Sequence, residues 1–348
     1  MDMLLKSGAE NCVVECGGVT GRTRLFVVSE HGAVDEAVVD AIVSAGRDAG
    51  ARVETVWGER IPKEAASSVP TEVLAAYREA DVIVSHYPSL KREVLFDFFG
   101  SENRVRVPNR ARSTRLLCSE WARFPYAVQR TVAERMDELM KPGLRWQITS
   151  PGGTDLTGTF AVGAGEVGAA FFVDHGEGRA RRNFPGGVHS PRNCINVNGV
   201  MVVEYMDGVV QTAEDEPLRL EVKDGRVVGV SGGDPAGKAR ASIEASDGCI
   251  DSWHAGVNPR TEVPVNRNEN ANEWFNFSHC SPAVMHFHLG RTHATTNLAF
   301  FDQTLVVDDV KLYEDGDLVV YNDNAIGTAI KRANLGSEML RKKDFLRW

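Results

Sequence analysis

Residues 24–29 (Arg-Leu-Phe-Val-Val-Ser) are an almost unbroken apolar run, the pattern of a strand buried on both faces. Behind it, Val34, Ala37, Val38, Ala41, Ile42 and Ala45 recur at helical spacing and predict a helix over 34–49. A strand over Val53–Trp57, a helix near Thr71–Glu79, a strand over 81–85 and a segment over Lys91–Phe99 continue the alternation, which predicts a parallel sheet covered by helices. A long amphipathic helix over 125–140 then stops at Lys141-Pro142-Gly143. From Arg145 onward the texture changes to short β-rich runs between glycine turns. Arg219–Lys223, Asp224-Gly225 and Arg226–Val230 read as a hairpin with a type I′ turn. The expected class is therefore α/β: a Rossmann-like α/β domain over 1–145, followed by a β-rich α+β domain over 146–348.

Composition narrows the partners. The 348 residues are 43% apolar and 25% charged, an ordinary globular balance. With 39 basic against 48 acidic residues the formal net charge is −9, and no basic stripe interleaved with aromatics is present, so nucleic acid is not an expected partner. No run approaches the ~20 apolar residues that span a bilayer, and Met1–Ser7 lacks the features of a secretory signal, so the expectation is a cytoplasmic chain with no membrane partner. In that compartment the six cysteines are expected to be reduced, and the Cys12/Cys16 spacing is read as plain thiols.

Three motifs are set aside. Gly229-Val-Ser231-Gly-Gly233 matches GxSxG, but the following Gly-Gly-Asp-Pro-Ala-Gly reads as a turn where a nucleophile elbow requires a helix. Gly17-Gly18-Val-Thr-Gly21 precedes the first strand, so it offers no helix N-terminus to a dinucleotide. No GxxxxGK[ST] loop is present.

Histidine carries the chemistry. Five of the nine (His254, His279, His286, His288, His293) fall within forty residues of the β-rich half. Ala283–Gly290 reads as a strand, which puts His286 and His288 on one face roughly 6.5 Å apart. Two or three neutral imidazoles and a carboxylate suit a divalent metal with open positions for substrate, and Asp302 and Asp251 are the nearest carboxylates. His254, in Trp253-His254-Ala-Gly256, is placed at a strand end or tight turn projecting into a cleft. His31, His86 and His175 are read as surface or supporting residues.

Gly153-Thr-Asp155-Leu156, Asn183-Phe-Pro-Gly-Gly187, Ser252-Trp-His254-Ala-Gly-Val-Asn-Pro259, His286-Phe-His288-Leu-Gly290 and Asn297-Leu-Ala-Phe-Phe-Asp302 occur in an order and spacing that resemble the leucyl aminopeptidase T (M29-like) superfamily over most of 150–320. The Ser-Trp-His segment is most similar to its 2,5-dihydroxypyridine 5,6-dioxygenase branch, which implies ring opening at one non-heme Fe(II), an extradiol-type reaction. In the peptidase branch two glutamates, a histidine and a His-x-Asp pair hold two metals. Here Val188 and His189 follow the Pro-x-Gly turn where the first of those glutamates would stand, and Phe300 stands where both branches carry histidine. The resemblance therefore implies one metal, with His254, His286 and Asp302 as ligands and His288 in reserve.

The expected function is a mononuclear metal-dependent dioxygenase acting on a small aromatic or heteroaromatic substrate. His189 and His293 are its catalytic candidates, His189 as a proton shuttle. Thr154, Asp155, Trp253, Asp251 and Arg291 are the substrate-binding candidates, Arg291 as a fork for a substrate carboxylate. Fe(II) is the favoured ion and Zn or Mn the alternatives. O₂ and a small molecule are the expected partners, in a homo-oligomer. Two rivals use the same residues differently. A Zn or Mn ion would make a hydrolase, an aminopeptidase or aromatic aminohydrolase. A site disabled by Phe300 would make a non-catalytic ligand-binding protein.

Overall fold

A computed structural model describes residues 2–61, 69–89, 104–141, 143–161, 174–175, 179–190, 194–209, 211, 215–290 and 296–344. The chain forms two compact units, Met1–Arg130 with Phe171–Gly187, and Thr131–Ala170 with Val188–Trp348. Where the sequence suggested one cut after 145, the chain leaves the first unit inside a helix and returns to it for a short excursion.

The first unit is built on a sheet of β1 (Arg24–Glu30), β2 (Arg52–Gly58), β3 (Val82–His86) and β4 (Arg104–Pro108), extended by β7 (Asp174–His175) and β8 (Arg179–Arg181) in the order β2-β1-β3-β4-β8-β7. All neighbours are parallel except β7 and β8. Every residue of β3 is buried, as a central strand covered on both faces demands. Helices α1 (Met3–Glu10), α2 (Glu36–Asp48) and α3 (Thr71–Glu79) supply the cover. At Gly46 in α2, an added Cβ would meet Leu25 at 2.6 Å and Val53 at 2.9 Å, so glycine sets how closely that helix approaches the strands. The short α4 (Thr114–Leu117) and α5 (Glu120–Arg123) lead into α6 (Tyr126–Leu139), which ends in the second unit. The strand and helix spans expected over 24–85 and 125–140 are present within two residues; Lys91–Phe99 lies outside the described residues.

The second unit holds two sheets. One has eight strands, β5 (Arg145–Thr149), β6 (Asp155–Phe160), β10 (Cys194–Val203), β12 (Leu218–Lys223), β13 (Arg226–Ser231), β17 (Thr304–Val307), β18 (Val310–Glu314) and β19 (Asp317–Leu318), in the order β13-β12-β10-β6-β5-β17-β18-β19. The other joins β9 (Val188–His189), β11 (Tyr205–Met206), β14 (Ile250–Gly256), β15 (Val284–Leu289) and β16 (Thr296–Phe301) in the order β11-β16-β15-β14-β9. The β12–β13 hairpin turns at Asp224 (φ 50°) and Gly225 (φ 74°), the two left-handed positions of a type I′ turn. One sequence reading is corrected here. A helix, α7 (Asp234–Ala245), does follow Gly232-Gly233, with proline in its first turn. The nucleophile elbow is still absent, because β13 is the edge strand of an antiparallel sheet. Two further helices, α8 (Ala271–Ser278) and α9 (Asn324–Arg332), complete the unit. None of the six cysteines forms a disulfide, and no helix among the described residues is long and apolar enough to cross a membrane.

Candidate metal centre

Strand register assembles the site. On β14, His254 sits across from His286 of β15, and the two-residue period of β15 returns His288 to the same face. The three rings lie together. Their centroids are 4.8 Å apart for His254–His286, 4.2 Å for His254–His288 and 5.3 Å for His286–His288. One potential ligand atom from each lies within 4.8 Å of the others, the only such group of three found among the described residues. Of the two placements expected for His254, strand end or tight turn, the structure has the first: it lies two residues before the end of β14, and pairing to β15 gives it its aim.

The wall behind the histidines is α8. Asn270 caps it by accepting from the Glu273 N–H at 3.0 Å, while its own side-chain N–H donates to the Glu273 carboxylate at 3.0 Å. The helix buries Trp274, Phe275 and Phe277. Phe275 stands edge-on to His286 with centroids 5.2 Å apart at 84°, and its other neighbour Tyr205 stacks on it at 4.4 Å and 5°. At the end of α8, the Nδ1 of His279 lies 2.8 Å from the Phe275 carbonyl, an acceptor only, so Nδ1 carries the proton and Nε2 the lone pair. His279 reaches within 5.9 Å of His286, centroid to centroid. The sequence placed it in the histidine-rich stretch without giving it a role; the hint available was its position one helix before the His-x-His strand.

Burial depresses the basicity of this group. His254 and His286 are pushed well below the ordinary histidine range, first by loss of solvent and then by neighbouring imidazoles. Both are therefore neutral near pH 7, the form that binds metal. The Nδ1 atoms of His254 and His286 are buried without a hydrogen-bond partner, a cost that folding rarely tolerates without compensation. Three converging imidazoles, two of them with an unpartnered buried nitrogen, fit a borderline divalent ion such as Zn or Fe(II).

Other sequence candidates lie elsewhere. Asp302 follows β16, turned by a left-handed backbone at φ 53°, and its Oδ1 accepts from Lys342 Nζ at 2.7 Å. It is not grouped with the three histidines. Phe300 is fully buried against Phe287, on the sheet face opposite the histidines. His189 pairs across from Ala255, which turns it to that opposite face beside Trp253, where its Nε2 meets Asp137 Oδ1 at 2.6 Å. Trp253 is fully buried on the same side. Thr154 is also buried; its hydroxyl donates to the Val202 carbonyl at 3.2 Å and accepts the Val202 N–H at 3.0 Å. Asp155 is exposed on the eight-stranded sheet and accepts from Gln147 at 3.1 Å. His189 and Trp253 thus lie on the face of β14 away from His254, and Asp155, with Thr154 just before it, belongs to the other sheet. Asp251 lies on β14, but its side chain is outside the described residues, as are Arg291 and His293 altogether. Of the histidines read as surface or supporting residues, His86 is fully buried in the first unit and His31 is exposed.

No protein-family model and no curated protein matches this sequence. Solved structures do match. One is 2,5-dihydroxypyridine dioxygenase from Pseudomonas putida KT2440, at TM-score 0.64 and 16% identity over 92% of this chain and 98% of that one. Another is AmpT from Thermus thermophilus, at TM-score 0.55 and 13% identity over 91% of this chain and 99% of that one. The chain has the M29-like fold that these structures share.

Proposed function

We propose that the protein is a mononuclear metalloenzyme whose ion is held by His254, His286 and His288, and that it acts on a small aromatic substrate as a non-heme Fe(II) ring-opening dioxygenase. The observation that carries this reading is the convergence of three imidazole ligand atoms within 4.8 Å. A pair of dications ~3.5 to 4 Å apart needs bridging negative charge, and no carboxylate joins the group among the described residues, so one ion is favoured over two. An Fe(II) ion held on one side by these three residues would keep positions open for substrate and O₂, and would activate the O₂ that serves as oxidant. The fold is compatible with this reading, being shared with a dioxygenase, but it is shared with AmpT as well and does not select between the two. Phe275, edge-on to His286, offers an apolar wall to a flat ring.

A second reading is favoured by one observation. With Asp302 bound to Lys342, the donor set is three imidazoles, a set that also serves catalytic zinc and would activate water for hydrolysis. Metal analysis of protein purified without added metal, followed by oxygen-electrode assays of the iron-loaded protein on hydroxypyridines and aminophenols, separates the two. Iron with oxygen uptake is expected. Zinc with no uptake across that panel assigns the site to hydrolysis.

A further inference from the structure

The histidine centre has an unusual charge balance. Its grouped ligands are three imidazoles and include no carboxylate among the described residues. Among the described residues, the carboxylates that the fold brings to the neighbouring strand are already engaged, Glu204 by the Phe301 N–H at 2.9 Å. Asp302 is neutralised by Lys342, whose ammonium also donates to the Asp315 carbonyl. Asp207 accepts from the backbone and side-chain N–H groups of Asn297 at 2.8 and 2.7 Å and from the Tyr205 hydroxyl at 2.7 Å. Asn297 is the residue across from His288 on β16, so this is the carboxylate next along the sheet. A dication held by three neutral donors keeps its full double charge. One carboxylate ligand would have halved it.

The surroundings do not dilute that charge. His286 is 4% exposed, and Phe275, Tyr205, Trp274, Phe301 and Val284 form an apolar cluster on its side of the sheet. An uncompensated charge in such a place is strongly penalised. His288, part-exposed, leaves a small ligand a way in.

We infer that the centre of His254, His286 and His288 completes itself with an anion taken from solution, a carboxylate or phenolate oxygen, so that metal and anion bind as a coupled pair. The inference rests on the metal-site reading above and adds the charge class of what that site accepts. Coupling is reciprocal: whatever factor the anion adds to metal affinity, the metal adds to anion affinity, typically about 5- to 150-fold.

Cobalt(II) is the probe, because its visible spectrum reports changes of ligand without turnover. The full chain is titrated with cobalt(II) in the presence and absence of acetate, and then of phenolate, and the cobalt-loaded protein is titrated with each anion. The expected result is cobalt affinity raised at least 5-fold by one equivalent of bound anion, with a saturable spectral change. The same coupling is expected in Asp302→Asn. Cobalt binding with one affinity and one spectrum whatever the anion overturns the inference, as does an Asp302→Asn variant in which the anion effect appears only after the substitution. Cobalt binding that is absent, or that survives His286→Ala unchanged, sinks the metal-site reading itself, a result distinguishable from tight but anion-independent binding.

Discussion

At the scale of single residues, a histidine's role is set by what each ring nitrogen meets. His86 shows the structural outcome. Asn109 Oδ1 accepts the Ala111 N–H at 2.8 Å, so the Asn109 amide nitrogen must donate to His86 Nε2, 3.0 Å away. His86 Nδ1 then carries the proton and faces the Ser29 hydroxyl at 3.1 Å. A ring so committed cannot take a proton from Ser29, which removes a serine–histidine nucleophile from consideration. Burial and the charge of Arg112 push its pKa down to about 3 from 6.5. Between those values the unfolded chain binds the proton and the folded chain does not. Stability therefore falls as pH drops from 6.5 toward 3, by up to about 1.4 kcal/mol per pH unit for this residue. Urea unfolding at stepped pH should show that slope, and His86→Gln should flatten it. His254 and His286 make the opposite use of their nitrogens, leaving Nδ1 unpartnered. Replacing either by alanine should weaken metal binding by more than the roughly 10- to 100-fold that loss of a merely supporting partner costs. His189→Ala, on the other sheet face, should leave affinity within a few-fold in isothermal titration.

At the scale of elements, the sequence was informative wherever a period could be read. The β1, β3, α2 and α6 spans follow from apolar spacing alone, and the two-residue period of β15 was enough to put His286 and His288 together. Partners distant in sequence were not legible. Nothing near Asp302 announces Lys342, forty residues on, or the left-handed turn that Asp302 takes just past the end of β16. The polar triplet of β8 joins the first sheet by backbone pairing to β4, with no hydrophobic signature to betray it. The face His189 takes is fixed by its pairing with Ala255, not by its own neighbours, and so could not be read from the sequence. The α8 cap is a local device that the Asn270-x-x-Glu273 spacing encodes directly. Asn270→Ala should lower stability by about 1 kcal/mol through loss of the cap. Because α8 positions Phe275 against His286, the same variant should loosen the metal site, seen as faster metal release in a chelator chase.

At the scale of the whole molecule, a bound ion would hold together the second unit and leave the first to its own core. The first unit has its own core around Phe26, Val28, Ile83 and Tyr77, and the three histidines all belong to the second. An ion bound only by the folded second unit stabilises it by RT ln(1 + [L]/Kd), about 2.7 kcal/mol at a free concentration of 100 Kd. Zinc or iron(II) should therefore raise the melting temperature of the second unit, and a chelator should remove the gain. His286→Ala should melt at one temperature with or without metal. Hydrogen exchange gives the finer test, because metal should slow exchange in β14 and β15 while amides of β1 and β3 keep their rates. Uniform slowing across both units would mean that the ion acts on the chain by some route other than the three imidazoles. Equal exchange with and without metal in β14 and β15 would leave those imidazoles as packing, the unpartnered Nδ1 atoms of His254 and His286 serving no ligand.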